Sequence, residues 1–355
     1  MSTKKLAQLA FLLIFALLVL LFPSISNSAI DHGLRLCKTS VLPVLFPFFV
    51  LTNLWSEFGL TVELSKKTER IINRTFHLPG YCSSAMVLGY LGGYPIGAQI
   101  VSSLFKKEMI TKKQAEHCLM FCNNAGPGFI LGIIGNGLFQ SIQYGFIMLL
   151  IHWTSSIIIG LLFRAKSAAT AAPTAAVQSP TQSIYSSVTK SIQNAGTTTV
   201  SVCTFILFFS LFTGFLMHIL SAVKHSPFVS LVLGFIELTN GIEILKTKQS
   251  HSIWIFISAA ILTGWGGICV HCQTLSILSD LPLSSKQYWI GKCLHAIFSG
   301  ILAVLVVPFL FPQESSLFNR IYRICIIVLI LAFMLFVISK KFLWKKGHPS
   351  YIISP

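Results

Sequence analysis

The residue best suited to chemistry is an acid, Glu237, inside the apolar stretch LVLGFIELTNGIEIL. A charge at the centre of a bilayer costs about 3 kcal/mol on insertion scales, so such residues usually face the interior of a helix bundle. At about 100° per residue, Asn240 falls on the same face of the helix. The pattern predicts a site for a cation, a proton or a solute hydroxyl or amine. The alternative is a structural carboxylic acid bonded to a neighbouring helix.

Four amides place further polar groups inside apolar stretches. Asn123 and Asn124 open the sequence NNAGPG, in which Pro127 frees backbone carbonyl groups. Gln99 and Gln273 each stand six residues after a glycine, Gly93 in the first case and Gly267 in the second. These amides predict either contacts with a solute or hydrogen bonds between helices. With Glu237 and Asn240 they make up the candidate substrate-binding residues.

Two glycine-rich sequences must position these side chains. The first, GYLGGYPIG, covers residues 89–97, and the second, GWGGICVHCQ, covers residues 264–273. Free backbone groups cost several kcal/mol each in lipid, so such breaks must be buried against protein or line a watery cavity. Paired interruptions in the two halves of a membrane chain indicate a central site. The predicted hinge or broken-helix residues are Gly89, Gly92, Gly93, Pro95, Gly97, Gly126, Pro127, Gly264, Gly266 and Gly267.

The composition is typical of a protein with many membrane spans. The 355 residues are 54% hydrophobic and only 10% charged, with a mean hydropathy of +0.77. The net charge of +16 comes from short Lys and Arg clusters between apolar stretches, as the positive-inside rule predicts, so we expect no nucleic-acid partner. Nine dispersed cysteines do not form the pattern of a disulfide framework. The sequence predicts an all-α, polytopic protein of the cell membrane.

The apolar stretches predict about eight transmembrane helices, with two broken or re-entrant segments, in two related halves. Basic clusters flank residues 81–105 on both sides, which predicts a re-entrant hairpin that opens to the cytoplasm; the alternative is a spanning helix with a kink. Residues 253–278 hold the second break. Residues 1–28 form a first helix or, alternatively, a cleaved signal peptide. The loop charges place both breaks on the cytoplasmic side, but the sequence does not decide whether the halves are parallel or inverted repeats. The predicted spans are 6–22, 41–55, 116–134, 138–163, 200–220, 227–245, 288–311 and 321–343.

A change in composition divides the chain. Residues 1–163 are an N-terminal membrane half, and residues 164–198, rich in Ala, Thr, Pro and Ser near their start, are predicted to be a flexible cytoplasmic linker. Residues 199–345 are a C-terminal membrane half, and residues 346–355 are a tail.

Motifs of enzymes and metal sites are weak. The chain contains no GxxxxGK[ST] loop that would bind phosphate and no zinc-protease motif. The cysteines and the histidine of residues 269–272, with His117, Cys118 and Cys122, are soft metal ligands. Cysteine is also an ordinary small residue of membrane helices. We therefore predict no metal, no cofactor and no enzymatic activity.

Several motifs together carry a family resemblance. GYLGGYPIGA, followed after a basic turn by FCNNAGPGFILGIIG, resembles the nucleoside-recognition or Gate domain of bacterial membrane proteins. IELTNGIEIL and GWGGICVHCQ resemble the sporulation integral membrane proteins of the YlbJ type. The resemblance runs from about Leu34 to Pro308 and implies a transporter-like helix bundle associated with endospore formation. Related Gate domains occur in nucleoside permeases and ferrous-iron transporters.

The polar breaks and this resemblance predict a sporulation-associated membrane protein that moves or senses a small polar solute, either nucleoside-like or an ion. The alternative is a non-transporting scaffold for assembly of the spore cortex or coat. The expected partners are the lipid bilayer, the solute and other sporulation membrane proteins.

Overall fold

The computed structural model describes residues 2–164, 183–221, 227–246 and 253–311. Within these ranges every regular element is a helix. Six helical segments are long and apolar enough to cross a membrane, and two shorter apolar helices accompany them. The predicted all-α, polytopic fold class is confirmed. The predicted span at 321–343 and the tail lie outside the described residues.

The N-terminal half begins with a helix that is followed by a long, nearly continuous helical segment. A π-helical turn, Cys37–Val41, joins the two parts of that segment. Another π-helical segment, Gly128–Leu138, follows the first polar break of a span. The α-helices of this half are α1 (Thr3–Leu21), α2 (Pro23–Leu36), α3 (Leu42–Glu57), α4 (Leu60–Phe76), α5 (Cys82–Gly92), α6 (Ile96–Lys106), α7 (Lys112–Leu119) and α8 (Ile142–Leu162).

The C-terminal half begins with the longest described helix, α9 (Ile184–Ile219). The Ser183 side chain caps this helix by accepting a hydrogen bond from the amide of Ser186. Residues 184–198, expected in the linker, therefore belong to α9; the linker residues 165–182 lie outside the described ranges. The remaining helices are α10 (Pro227–Ile236), α11 (Leu238–Lys246), α12 (Ile253–Trp265), α13 (Ile268–Leu278) and α14 (Lys286–Leu310).

The helices α5 and α6 form a hairpin, which we call the first hairpin (residues 82–106). The chain reverses at Gly93, and the two arms touch at glycines, where a Cβ added to Gly89 would lie 3.0 Å from the Cα of Gly97. Each arm has 11 residues. At about 1.5 Å per residue an arm reaches only about half of a 30 Å bilayer core. The geometry is the re-entrant hairpin that the sequence predicts.

The stretch predicted as the span 227–245 differs from that prediction. It is a second hairpin (residues 227–246), which reverses at Glu237 between α10 and α11. The backbones of Gly234 and Gly241 meet between its arms, and a Cβ at Gly241 would collide with the Cα of Gly234. The two glycines allow the arms to pack closely, so the stretch folds back although its total length would suffice to cross the bilayer.

The second glycine-rich break takes the broken of the two predicted forms, broken or re-entrant. Residues 253–278 are not a hairpin but a span in two parts, α12 and α13. The break lies at Gly266 and Gly267, with φ values of +92° and +88° that L side chains rarely adopt. The chain continues in the same direction after these two residues. The breaks at Gly93 and Gly267 are therefore not structural equivalents, although their sequences align.

The two hairpins enter from opposite ends of the bundle. The helix α14 begins in one apolar cluster, with Tyr288, and ends in another, with Val307. The open end of the first hairpin, with Leu104, belongs to the cluster of Tyr288. The open end of the second, with Leu245, belongs to the cluster of Val307. The halves, whose relation the sequence left open, are therefore inverted, and the loop charges that place both breaks on the cytoplasmic side are misleading for the second half.

Candidate functional site

The tip of the first hairpin lies against the first break. A Cβ added at Gly93 would lie 2.9 Å from the backbone nitrogen of Gly126, and Gly93 has φ +85°. Residues 123–126 have no regular secondary structure, and both Asn123 and Asn124 are completely buried. Unwound backbone is therefore packed against unwound backbone inside the bundle.

The tip of the second hairpin lies against the second break in the same way. A Cβ at Gly267 would lie 3.0 Å from the amide nitrogen of Leu238, next to the turn at Glu237. A contact also crosses between the halves, because the hydroxyl of Tyr94 donates a hydrogen bond to the carbonyl oxygen of Thr263 at 3.2 Å. Both tips and both breaks consequently meet in one region.

A small cavity of about 80 Å³ lies at this meeting point. Pockets for drug-sized ligands usually have volumes of about 300–1,000 Å³, so this cavity accommodates an ion or a few waters but not a nucleoside. In this conformation the tips of both hairpins pack against the breaks and leave little space between them. Residues lining the cavity include Gly93, Tyr94, Gly126, Glu237, Thr239 and Gln273.

A larger cavity, of about 470 Å³, lies beside the central one on the side of the second hairpin. Arg35, Glu243 and Lys246 line it and give it a charged wall. Val44, Gly128 and Thr239 line both cavities. The two cavities therefore lie side by side, and Lys246, at the open end of the second hairpin, lines the larger one.

Glu237 lies at the tip of the second hairpin and is only 3% exposed. Its carboxylate accepts hydrogen bonds from the backbone nitrogens of Asn240, at 2.7 Å, and Thr239, at 3.2 Å. These bonds cap the first turn of α11, whose positive dipole end favours a negative charge. Glu237 therefore supports the local fold and also lines the central cavity.

Three of the predicted amides lie at or next to the cavity. Gln273 lines it directly, with its amide nitrogen 3.4 Å from the sulfur of Cys269. Asn123 donates to the hydroxyl of Thr274 at 2.8 Å, which joins the first break to α13. Asn124 donates to the carbonyl of Phe121 and to the hydroxyl of Ser156. In this conformation the side-chain nitrogens of both asparagines, which lie on the unwound segment, are bonded to protein groups.

Two predicted residues lie elsewhere. Gln99 donates to the hydroxyl of Thr198 on α9 at 3.2 Å, a bond between helices. Asn240 points away from the central cavity, donating to Thr213 and lying 2.7 Å from the ring nitrogen of His32. It lines a separate groove of about 590 Å³ between α2, α9 and the second hairpin. The predicted helical face shared by Asn240 and Glu237 does not form, because the chain reverses at Glu237, immediately before α11 begins.

The predicted hinge glycines serve two purposes. Gly93, Gly126, Gly266 and Gly267 lie at the breaks themselves. Gly264 lies inside α12, where an added Cβ would be 2.7 Å from the carbonyl oxygen of His295. Gly89 and Gly97 likewise lie in helices and pack against the carbonyl of Cys122, and Gly92, Pro95 and Pro127 are at helix ends. The glycines within helices are contact points that let backbones approach.

A basic cluster that the sequence reasoning missed lies directly behind Tyr94. Lys292 of α14 is completely buried, and its amine lies 3.4 Å from the hydroxyl of Tyr94 and 3.3 Å from Nδ1 of His295. The ring of His295 stacks on that of His152 at 4.4 Å between centroids. The sequence does contain one feature that predicts such a cluster: Lys292 and His295 are two basic residues, three positions apart, inside an apolar stretch.

Metal ligation has no geometric support within the part of the chain that the structure describes. There, no three side chains of His, Cys, Asp or Glu lie together in a way that would hold an ion.

Comparisons with known proteins agree with this architecture. Residues 39–135, which contain the first hairpin and the first break, match the Gate family, described as nucleoside recognition. The chain is also 25% identical to the sporulation integral membrane protein YlbJ of Bacillus subtilis strain 168, over 88% of this chain and 85% of the relative. The predicted resemblance is confirmed. The chain is a multi-pass integral membrane protein with a Gate-like segment. No solved structure matches it.

Proposed function

We propose that this protein carries a small polar solute across a membrane of a spore-forming cell. One observation carries the proposal: two inverted hairpins meet tip to tip at two unwound helix segments around a central cavity. In membrane proteins, unwound backbone at this depth is tolerated only where protein buries it or a cavity needs it. Discontinuous helices of this kind form the solute and ion sites of many secondary transporters.

The route across the membrane follows from the inverted hairpins. Withdrawal of the second hairpin joins the central cavity to the charged space lined by Arg35 and Lys246. Withdrawal of the first hairpin opens the cavity toward the other side, where Lys106 and Lys107 lie at the open end. Alternate movement of the two would expose one site to each side in turn. The solute, nucleoside-like or an ion, would contact Glu237, Gln273 and the unwound segment at Asn124.

Similarity to a sporulation protein provides the assay. The coding sequence of the relative in B. subtilis is replaced by that of this chain, and heat-resistant spores are counted. If the chain supports sporulation, we expect Glu237→Gln and Asn124→Ala to reduce the count at unchanged membrane levels. The matched control is Gly196→Ala, at a helix position where an added Cβ meets no atom within 4 Å.

The outcomes separate a carrier from a scaffold. Full sporulation with both cavity variants would overturn the proposal. If the same strain then lost sporulation when exposed residues such as Lys66 and Arg70 of α4 were changed, a scaffold that works through partners would replace it.

A further inference from the structure

Lys292 of α14 is a buried lysine that has no carboxylate partner among the described residues. A lysine at the centre of a membrane helix costs about 3 kcal/mol on insertion scales, and such residues usually pair with another group. Among the described residues, no carboxylate forms an ion pair with Lys292. Its neighbours are the hydroxyl of Tyr94, Nδ1 of His295 and the face of the Tyr94 ring, 5.0 Å from the amine. None of these groups fixes a positive charge as a carboxylate would.

The hydrogen bonds define where the protons of the two stacked histidines lie. Nε2 of His295 lies 2.9 Å from the carbonyl oxygen of His152, and a carbonyl only accepts, so this nitrogen carries the hydrogen. Nδ1 of the neutral His295 ring is then free to accept from Lys292. The backbone amide of Ala125 donates to Nε2 of His152, so that nitrogen carries no hydrogen. Both rings are therefore arranged as neutral imidazoles around one amine.

This cluster contacts both breaks. Nε2 of His152 accepts a hydrogen bond from the backbone amide of Ala125, which lies within the first unwound segment. Tyr94 bonds to Thr263, three residues before the second break at Gly266, and an added Cβ at Gly266 would lie 3.0 Å from the Tyr94 hydroxyl. A change in the protonation of this cluster would consequently alter hydrogen bonds at the tip of the first hairpin and contacts with both discontinuous spans.

We propose that Lys292, with His295 and His152, is a proton-binding site that locks the tip of the first hairpin. The protonated amine only donates, so Tyr94 accepts from it and gives its own single hydrogen to Thr263. Loss of one proton to water leaves a neutral amine with a lone pair, which competes with Thr263 for the hydrogen of Tyr94. The bond that ties the tip to α12 weakens, and the tip is released. Rebinding of one proton restores it.

The surroundings of the amine contain few other titratable groups. The helix α12 has none, and on α7 Glu116 accepts from the amide of Ser284 while His117 binds the carbonyl of Gly160. The titratable groups that face the amine from the packed elements are Tyr94, His152, His271, Tyr288 and His295.

Hydrogen–deuterium exchange of the full chain in lipid nanodiscs tests this proposal without any solute. Exchange rates of peptides that cover residues 88–98 are measured from about pH 5 to about pH 9, where histidine and buried lysine titrate, and divided by the intrinsic rates. We expect the corrected rate to rise on the order of tenfold across one transition as pH increases, a typical size for coupling between two sites. Lys292→Met should abolish the transition. The matched control Lys286→Met, which removes an exposed lysine from the same helix, should keep it.

Two results would overturn the proposal: a corrected rate that does not change with pH in the wild-type chain, or a transition that persists in Lys292→Met. If that variant does not fold, Tyr94→Phe replaces it, because this change removes the hydroxyl and keeps the ring. Persistence of the transition in Tyr94→Phe would be equally contradictory. A role of this proton-dependent contact in transport rests on the proposed function. The exchange experiment tests the contact itself and does not depend on transport. A transition without solute movement would refute the carrier alone.

Discussion

The hydroxyl of Tyr94, at the tip of the first hairpin, bonds the carbonyl of Thr263 in the opposite half of the protein at 3.2 Å. Both residues are buried, so the bond joins the halves inside the bundle. It also places a side chain of one hairpin beside the break of the other half. The two halves therefore do not only pack as domains; they share a polar contact at the centre.

Removal of that hydroxyl tests the junction. We expect Tyr94→Phe to destabilise the protein by about 1 kcal/mol, the usual net value of such a hydrogen bond. Faster hydrogen exchange should appear in peptides of α12. The control is Tyr90→Phe, which removes a hydroxyl bonded to Ser156 of the same half at 2.9 Å. Equal exchange of α12 in both variants would show that Tyr94 does not join the halves.

The close contact of Gly93 with Gly126 predicts a large effect from one methyl group. Gly93→Ala places a Cβ 2.9 Å from backbone at a positive φ, so we expect a loss of about 2 kcal/mol and a clear fall in the thermal midpoint in detergent. Gly196→Ala adds the same atom inside α9 without any contact, and should stabilise by up to about 1 kcal/mol through helix propensity. Similar midpoints for the two variants would contradict the packing of the tip.

The two roles of Glu237 are separable by substitution. Glu237→Gln keeps one carbonyl oxygen to accept from the amide of Asn240, so most of the cap on α11 survives, whereas Glu237→Ala removes it at a cost of about 1 kcal/mol. We expect the glutamine variant to retain its thermal midpoint but to lose sporulation activity. If Glu237→Gln is fully active and only Glu237→Ala is impaired, the carboxylate has a structural role alone.

The inverted hairpins predict opposite accessibility at their open ends. Lys107 and Lys246 are both exposed and lie at the open ends of the first and second hairpin respectively. Single cysteines are introduced at each position and treated with a membrane-impermeant maleimide in intact cells. We expect Lys246→Cys to react directly and Lys107→Cys to react only after permeabilisation. Labelling of both under the same condition would show parallel halves; the unmutated chain controls for its native cysteines.

Much of the fold follows from local chemistry. Clusters of glycine, with proline or amide residues beside them, weaken a regular helix, so the breaks at Gly93, at Asn123–Gly128 and at Gly267 are visible in the sequence. Basic clusters on both sides of the first hairpin also reveal that both its ends lie on one side. These signals depend only on residues that are close along the chain, which explains why the sequence alone predicts the breaks and the first hairpin.

The second hairpin, in contrast, has no local signal in the sequence at the position of its turn. No proline or glycine lies at its turn, where Glu237 both ends α10 and caps α11. The reversed chain is stabilised by the close packing of Gly234 against Gly241, a contact that exists only in the folded hairpin. The cluster around Lys292 is similar, because its members come from α8, α14 and the first hairpin and meet only in the folded bundle.

The small size of the central cavity has a kinetic consequence. A solute larger than a few waters would fit only while one tip is displaced from the position it has here. In the carrier proposed above, each molecule carried would then require one complete movement of both hairpins. Such a cycle saturates with concentration, and it runs faster as an exchange of labelled for unlabelled solute than as net flux, which no continuous pore would do.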